Sequence, residues 1–535
     1  MKELRDKIRK YNSIDPVKVG LVVTVIYAVL LILVSIVHEP WYDEAQAWQI
    51  AKEASYHDIL FYLPHYESHP PLWHLILSVP AKLGLPYEAS IKTVTIIFSV
   101  LGICLIEFKS GFTNWVKTFM PFNFFLFYQF GVISRPYSMM LFALLLCAMF
   151  FEKRNERPVR YFLSLGFLCL TSDYGLVIAG GIVVGWIVDI IIDKKKGALR
   201  DIFSGNFKRL AGYILLAALA LILILMVMPS SDTTVIPDTP VWYKFYMFLI
   251  VAPAEAFMTD FLTGIGLGDP VNGPLGTVVT ALVSVILWTI GILVSARRRS
   301  LHHFIFPVMT FAAIGAFYSA PHHYGIYVML FIYFFWILRG KRVYGKDPGP
   351  EIVRKIYKHA PLTVMVIAMA VSMYWSLASS LNEVVFPYYY SRELAGWLKD
   401  NTKEDDIVMA SWHPVYEKGA DGQDDKKKLA GVNFKSVAEI DVPTKPYFDY
   451  KVIDNELLPY QWLGALSPDV RDSYIADVKA LGTPDYVITY NTEFIPGFLA
   501  AIDCDAEYDL EMVFFNRRIY KDNTYPYNVM VFRKK

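Results

Sequence analysis

The chain has 535 residues and a formal net charge of +1, and 55% of its residues are hydrophobic. Charged residues make up 19% of the chain, against roughly 25% in a typical soluble protein. This composition excludes an ordinary soluble globular protein and predicts one embedded in a membrane, with no nucleic acid among its partners.

The first apolar run extends from Val17 to Val37 and is long enough to cross a bilayer. His38-Glu39-Pro40 follows it and offers no small-residue cleavage site, so the run is predicted to be an uncleaved anchor and not a signal peptide. Basic residues before the run place the N-terminus in the cytoplasm; they are Lys2, Arg5, Lys7, Arg9, Lys10 and Lys18.

Two adjacent carboxylates, Asp43 and Glu44, follow the anchor and are therefore predicted to lie outside. Carboxylates at the exit of a membrane helix are too polar for lipid and are well placed to act at the membrane surface. Neighbouring residues on a helix diverge by about 100°, so one is interpreted as a general base and the other as a supporting group. The alternative is an acidic first turn that stabilises the helix dipole.

The first external loop is predicted to cover residues 38–89 and contains the segment His69-Pro70-Pro71-Leu72. Its prolines favour surface-lying or re-entrant helices over a plain span. The basic clusters agree, because Arg154 and Arg299 would face outside if residues 69–85 crossed the bilayer.

Ten further apolar runs follow, which with the anchor gives about eleven transmembrane helices. They fall near residues 90–108, 114–133, 137–151, 159–172, 175–192, 210–228, 275–296, 304–320, 324–338 and 361–380. An odd number of spans puts the C-terminus outside.

Arg135 stands before the run that begins at Tyr137, at an outer helix entrance in this topology. An Arg at membrane depth is costly unless it binds an anion or reaches the interface, and its planar fork matches phosphate. Simple snorkelling to the interface is the alternative. Lys92 and the pair His322-His323 stand at other outer helix ends.

A second external loop is predicted over residues 229–273 and is rich in aromatic residues and carboxylates. Trp242 and Lys244 are candidates to cover a lipid phosphate or contact a sugar. An amphipathic helix resting on the interface is the equal alternative, because interfaces favour aromatic side chains.

Beyond residue 380 the composition changes to charged loops between short strand-like and helix-like segments. Residues 381–535 are predicted to form an extracytoplasmic soluble α/β domain of ordinary domain size, and residues 1–380 the transmembrane domain. The C-terminal segment carries no dinucleotide-binding fingerprint, P-loop or nucleophile elbow.

Three motifs in this order resemble the polyprenyl-phosphate-sugar-dependent glycosyltransferases of the protein O-mannosyltransferase and lipid A aminoarabinose transferase superfamily, the GT-C class. They are Asp43-Glu44, His69-Pro70-Pro71-Leu72 and Arg135-Pro136-Tyr137. The resemblance implies that residues 1–380 are the catalytic domain and that Asp43 is the catalytic base, with Glu44 beside it.

The same resemblance implies substrate-binding roles for His69, Lys92, Arg135 and Tyr137. Relatives commonly carry Arg at the position of Lys92 and Arg-Tyr near His322 and His323, so this chain departs from the family pattern there. The two histidines are predicted to donate hydrogen bonds to substrate, with less certain charge.

The implied protein has a GT-C fold of about eleven transmembrane helices and an extracytoplasmic α/β domain. It is an inverting glycosyltransferase in the plasma membrane of a bacterium. It transfers a hexosyl or aminosugar group from a polyprenyl-phosphate donor to a hydroxyl of a glycan, lipid or protein. The product belongs to the cell envelope, and the acceptor meets the enzyme on the extracytoplasmic side.

No cofactor is predicted besides the lipid-linked sugar donor, and no metal ligand is assigned. Binding of a divalent metal stays open as an alternative, because potential ligands alternate along the chain at His65, Glu67 and His69. The four cysteines give neither a disulfide framework nor metal-ligand spacing.

Two other functions stay open. A transporter or lipid-carrier flippase predicts inverted repeats, broken midplane helices and ionisable residues inside spans, whereas the polar candidates here gather at outer helix ends. A noncatalytic envelope-assembly protein, whose external domain binds a partner, predicts that Asp43 is dispensable.

Overall fold

The structure is a computed structural model, and most of the chain is described in it. The described residues are 2–67, 69–193, 207–229, 240–258, 274–317, 320–341, 343, 351–418, 424–433, 435–448, 468–517 and 528–535. Of the external loop predicted at 229–273, residues 230–239 and 259–273 lie outside the described residues.

The chain divides into two compact units, each built from three segments. Unit one comprises Met1–Ile36, Lys92–Leu225 and Ile236–Leu381. Unit two comprises Val37–Ile91, Met226–Val235 and Asn382–Lys535. The predicted first external loop is therefore packed in one unit with the C-terminal region.

The first eleven helices in chain order are α1 (Lys2–Asn12), α2 (Pro16–Val37), α3 (Tyr42–Glu53), α4 (Pro64–Glu67), α5 (Leu72–Lys82), α6 (Tyr87–Lys109), α7 (Asn114–Phe119), α8 (Tyr137–Phe150), α9 (Pro158–Cys169), α10 (Asp173–Asp193) and α11 (Phe207–Val227). The others are α12 (Val241–Tyr246), α13 (Ala252–Met258), α14 (Pro274–Ala296), α15 (Leu301–Phe317), α16 (Ile326–Leu338), α17 (Glu351–Val385), α18 (Ser391–Asn401), α19 (Lys435–Thr444), α20 (Pro468–Ala480) and α21 (Phe494–Ala501).

Seven helices in the described ranges are long and apolar enough to cross a membrane, namely α2, α6, α10, α11, α14, α16 with the turn before it, and most of α17. Shorter apolar helices are α8, α9 and α15. These helices coincide with ten of the predicted runs, and they are the helices of a membrane protein.

The predicted span at 114–133 is wrong as a single helix. It consists of α7, a 3-10 turn over Met120–Phe122 and a π-helical stretch over Phe125–Val132. Pro121 lacks an N–H and cannot continue the helix before it. The π-helical stretch then begins after Asn123, whose Oδ1 accepts the N–H of Phe125 at 3.0 Å.

Between α12 and α13 lies a π-helical turn over Met247–Val251. Two of its backbone carbonyls accept hydrogen bonds from side chains of other helices. The indole N–H of Trp288 donates to the carbonyl of Leu249 at 2.8 Å, and the hydroxyl of Tyr327 donates to the carbonyl of Phe248 at 2.7 Å. Phe248 is buried. This described part of the predicted loop 229–273 is thus packed among the helices of unit one and is not a surface connection.

Local sequence sets the starts of the helices on either side of the anchor's exit. Asp15 caps α2, because its Oδ1 accepts the N–H of Val17 at 2.9 Å, and Pro16 takes the first helical position. In α3, the carboxylate of Glu44 reaches back to the N–H of Trp41 at 3.1 Å. An acid in the first turn also suits the helix dipole.

Unit two contains a four-stranded sheet in the order β1-β4-β6-β5, built from β1 (Val408–Ala410), β4 (Tyr486–Thr489), β5 (Tyr508–Phe514) and β6 (Val529–Lys534). β1 is parallel to β4, and β6 is antiparallel to both β4 and β5. An antiparallel pair, β2 (His413–Lys418) and β3 (Asp424–Asn433), forms a second sheet.

The core of unit two forms around Trp412, which is fully buried. Its ring meets that of Phe498 edge-on, with centroids 4.7 Å apart. Val487, Ile488 and Val531 from neighbouring strands complete the same cluster. Burial of these apolar side chains fixes the sheet on which the surrounding helices rest.

Candidate active site

The two adjacent carboxylates lie in the first turn of α3, but in different surroundings. Glu44 is 0% exposed, whereas Asp43 is half-buried. The difference follows from the roughly 100° between successive side chains of a helix. The pair therefore does not act as one two-carboxylate group.

Glu44 belongs to a buried cluster in which one imidazole joins two carboxylates. Nε2 of His38 lies 3.0 Å from Oε2 of Glu44, and Nδ1 of His38 lies 3.0 Å from Oε1 of Glu383. The histidine and both carboxylates are buried. We call this group the His38 triad.

The His38 triad holds its imidazole in the charged form. Burial by itself lowers the pKa of His38, but the carboxylates of Glu383 and Glu44 outweigh it and raise the pKa to about 9. Both ring nitrogens can then donate, one to each carboxylate. Glu44 is therefore already engaged as an ion-pair partner.

The surroundings of Asp43 are acidic. Gln46, one turn further along α3, donates from Nε2 to Oε1 of Glu67 at 2.9 Å. Burial raises the pKa of Tyr42 well above its usual value, and the charges of Glu67 and Asp43 raise it further. Asp43 and Glu67 thus act electrostatically on one buried phenol.

His69 lies in the same unit as Asp43 and is half-buried. Pro71 is the N-cap of α5, so the helix begins at Leu72 directly after the two prolines. Proline is well suited to this place because it has no N–H to leave unbonded. The prolines therefore set where α5 begins and leave His69 three residues before its first residue.

An ionic network fixes the segment that carries His38. The backbone N–H of Arg392 donates to Glu39 Oε1 at 2.7 Å, and Nη2 of Arg392 donates to the His38 carbonyl at 2.8 Å. Its guanidinium also pairs with both oxygens of Glu88, and Oε1 of Glu88 accepts in addition the hydroxyl of Tyr447 at 2.7 Å. Burial raises the pKa of Glu39 to about 7, although the hydrogen bond from Arg392 acts to lower it.

In unit one, Arg135 and Tyr137 flank the start of α8. Pro136 is the N-cap, and the N–H of Arg135 donates to the carbonyl of Ile133 at 3.0 Å, which turns the chain into the helix. Arg135 is half-buried and Tyr137 is buried. The turn therefore leaves Arg135 partly exposed and buries the phenol of Tyr137.

Tyr137 packs against the two histidines that precede α16. Its ring centroid lies 5.6 Å from that of His323 and 6.4 Å from that of His322. Nδ1 of His323 accepts the N–H of Ala320 at 2.9 Å and lies 3.0 Å from the hydroxyl of Tyr174. A nitrogen that accepts a backbone N–H carries no proton, so His323 is neutral with its proton on Nε2.

The other predicted residues of unit one differ in exposure. Lys92 is buried on α6, and Lys244 on α12 is half-buried. Trp242 is 71% exposed. Such exposure fits a residue at the interface better than one that encloses a ligand inside unit one.

Sequence reasoning missed His38, Glu383 and Arg392. Glu383 carried a signal, since a carboxylate close to the end of an apolar run is costly unless it has a partner. His38 directly follows the anchor, but no local pattern names its partner. Arg392 gave no signal that distinguishes it from the other basic residues of the C-terminal region.

One cluster has ligand types suited to a metal. Asp189 accepts from Nε2 of His302 at 2.7 Å and from Nε2 of His303 at 2.6 Å, and these ligand atoms all lie within 4.8 Å of one another. The guanidinium of Arg154 also donates to Asp189. The carboxylate is therefore already paired with a cation, which is typical of a structural ion pair.

The backbone is similar to that of ArnT from Cupriavidus metallidurans in the apo state, with 12% identity, a TM-score of 0.50, and coverage of 95% of this chain and 97% of that chain. ArnT bound to undecaprenyl phosphate gives a TM-score of 0.48 at 12% identity over 96% of this chain and 97% of that chain. The Archaeoglobus fulgidus oligosaccharyltransferase in the apo form gives 0.43 at 12% identity over 95% of this chain and 74% of that chain.

No protein-family model matches the sequence, and no curated protein matches it either. The likeness to apo ArnT extends over nearly the whole of both chains. It confirms the GT-C fold that the three motifs predict.

Proposed function

We propose that this chain is an integral-membrane glycosyltransferase that moves a sugar from a polyprenyl-phosphate donor to an acceptor hydroxyl, with Asp43 as general base. The acceptor meets the enzyme on the extracytoplasmic side, and the product belongs to the cell envelope. No cofactor or metal enters the proposed reaction.

The unequal environments of Asp43 and Glu44 carry this proposal. Glu44 is buried and joined to His38, so it supports the turn that presents its neighbour. Asp43 is half-buried at the N-terminal turn of α3, where a substrate hydroxyl can reach a carboxylate. A base needs both access and a fixed position, and the His38 triad supplies the second.

The proposed reaction is a single displacement. Asp43 takes the proton of the acceptor hydroxyl while that oxygen attacks the anomeric carbon of the sugar. The bond from this carbon to the phosphate oxygen breaks, and polyprenyl phosphate leaves with the bonding electrons. One displacement inverts the anomeric centre.

Support for the donor class comes from the fold and from unit one. ArnT, with which this chain shares a fold, binds undecaprenyl phosphate. Arg135 is half-buried at a helix entrance, and a guanidinium there is suited to a phosphate. Neutral His323 can donate a hydrogen bond without bringing a second full charge.

The distribution of charges supports a transferase over a transporter. In the described spans, charged side chains lie within about two turns of a helix end. A transporter that binds its substrate at the midplane places ionisable groups and broken helices there. The helix breaks at Met120–Phe122 and at Met247–Val251 carry no charged residue.

A sugar-transfer assay tests the proposal. Purified protein is supplied with a panel of polyprenyl-phosphate-linked hexoses and aminosugars and with an envelope fraction as acceptor. At least one donor should release polyprenyl phosphate and transfer its sugar, and Asp43→Asn should abolish both without loss of donor binding. Transfer that is equal in the Asn variant, or absent with every donor, contradicts the proposal.

The extracytoplasmic orientation is tested by cysteine labelling in intact cells. Cysteines that replace Glu53 and Asp425 should react with a membrane-impermeant reagent, and one that replaces Arg298 should not. Opposite results for Glu53 and Asp425 contradict the assignment of residues 69–85 to the outside.

A further inference from the structure

Unit one contains a cavity of about 650 Å³, within the size range of small-molecule sites. It lies between α14, α16, α17 and the segment 112–123. Apolar side chains such as Phe331, Phe335, Ile290 and Met365 form most of its wall. Water finds few hydrogen-bond partners in such a space, whereas a hydrocarbon chain makes van der Waals contacts with its apolar wall.

The cavity is elongated along α16. Val328 and Leu338 of this helix both line it, and at 1.5 Å per residue they are about 15 Å apart. An extended hydrocarbon chain fits this shape better than a compact ligand does.

Two guanidiniums define one end of the cavity. Arg298 follows α14 and Arg339 follows α16, and both belong to the wall. Arg339 is exposed, so this end reaches the surface of unit one. This end of the cavity lies at the C-terminus of α16, whereas His323 lies at the N-terminus of that helix. The two guanidiniums are therefore in a different region from the one proposed for the phosphate of the sugar donor.

Each guanidinium is held in place. Nη1 of Arg339 donates to the carbonyl of Ser110 at 3.1 Å. Gly111 has φ 64° and passes so close to this guanidinium that a Cβ there would collide with it. Nη1 of Arg298 donates to its own helix at Val294, and its shielded Nε has no acceptor among the residues that the structure describes.

We propose that this cavity binds an anionic glycerophospholipid, with one acyl chain between the helices and the headgroup phosphate on Arg298 and Arg339. Basic residues mark this end of unit one, namely Arg297, Arg299 and Lys341, which assigns it to the cytoplasmic leaflet. That leaflet carries anionic lipids, and basic pockets between membrane helices bind their headgroups. The proposal does not rest on the proposed glycosyl transfer.

The test measures lipid affinity of the purified full-length protein by native mass spectrometry. The probes are dioleoylphosphatidylglycerol, dioleoylphosphatidylcholine and undecaprenyl monophosphate. We expect the wild type to bind phosphatidylglycerol roughly tenfold or more tightly than phosphatidylcholine, the size expected for one added charge-assisted contact. The double variant R298A/R339A should lose this preference.

Two further variants separate the headgroup from the chain. R297A/R299A removes the same charge from the same end without touching the cavity wall, so it should keep the preference. Ala368→Phe fills the apolar wall and leaves both guanidiniums, so it should weaken binding of both glycerophospholipids. This second variant decides the matter if R298A/R339A proves unstable on thermal unfolding.

Three results would overturn the proposal. They are a phosphatidylglycerol preference that survives in a folded R298A/R339A, wild-type lipid binding by Ala368→Phe, and an Arg-dependent site that prefers undecaprenyl monophosphate. The last result identifies the cavity as a second site for the polyprenyl carrier.

Discussion

The candidate sites of the two units differ in the charge of their buried histidine. In unit two, His38 lies buried between the carboxylates of Glu44 and Glu383, which raise its pKa to about 9 and hold it as an imidazolium. In unit one, His323 is neutral and packs among the phenols of Tyr137 and Tyr174. The first arrangement stabilises a fixed carboxylate turn, and the second leaves a neutral histidine against Tyr137, two residues after Arg135.

This difference predicts which changes affect chemistry and which affect folding. Removal of the accessible group in unit two should reduce rate, and removal of a buried partner should reduce stability. Removal of the cation in unit one should reduce donor affinity.

The largest effect is expected for Asp43→Asn. Loss of a general base lowers the rate roughly 10²–10⁴-fold, and the amide keeps the shape of the side chain. Turnover and thermal unfolding should be measured on the same purified variant. Asp58→Asn is the control, since Asp58 lies in the same unit with its side chain 45% exposed, and its turnover should equal that of the wild type.

Glu44→Ala should act on stability. It leaves the buried imidazolium of His38 with one carboxylate in place of two, and breaking a buried ion pair typically costs about 3–5 kcal/mol. Glu53→Ala on the same helix is the matched control, because Glu53 pairs with Lys445 at 3.8 Å near the surface. That change should cost about 0–1 kcal/mol. Equal unfolding temperatures for the two variants would contradict the role assigned to the His38 triad.

Stability should fall with rising pH as the triad loses its proton. The folded-state pKa of His38, about 9, lies above its ordinary value of 6.5. The folded state therefore binds this proton more tightly, and the stabilisation is complete below pH 6.5 and lost as the pH rises through about 9. Burial raises the pKa of Glu39 to about 7, so unfolding should be followed above that pH.

The control for this pH dependence is another histidine. His38→Gln should flatten the fall in unfolding temperature, whereas His57→Gln should not, because the side chain of His57 is 78% exposed. A pH profile unchanged by His38→Gln would show that other groups titrate in this range.

The smallest effect is expected at Arg135, on donor affinity. Arg135→Ala should weaken binding of a polyprenyl-phosphate sugar roughly tenfold, as expected for loss of one charge-assisted contact. Arg135→Lys should lose less, because it keeps the charge and loses only the fork. Donor affinity of the purified variants is the measurement. Wild-type affinity in Arg135→Ala would make Arg135 an interfacial anchor.

Hydropathy predicted nearly all of the apolar helices, because a segment's suitability for lipid depends on its own side chains. It failed at 114–133, where Pro121 breaks the helix although the segment is apolar throughout that turn. It also treated 247–256 as part of an external connection, although Phe248 and Ala252 are buried. The bonds that hold this segment come from Trp288 and Tyr327, far along the chain.

The sequence by itself indicated the membrane class and the starts of α3 and α5, since hydropathy, capping and proline geometry act within a few residues. The GT-C fold followed from the resemblance of three short motifs to a known family. The sequence did not determine which carboxylate of the adjacent pair is engaged. Only the tertiary structure decided that, because His38 and Glu383 are 345 positions apart in the chain. The same long-range packing raised the pKa of His38, since the pKa of an imidazole depends on the groups that the fold brings to it.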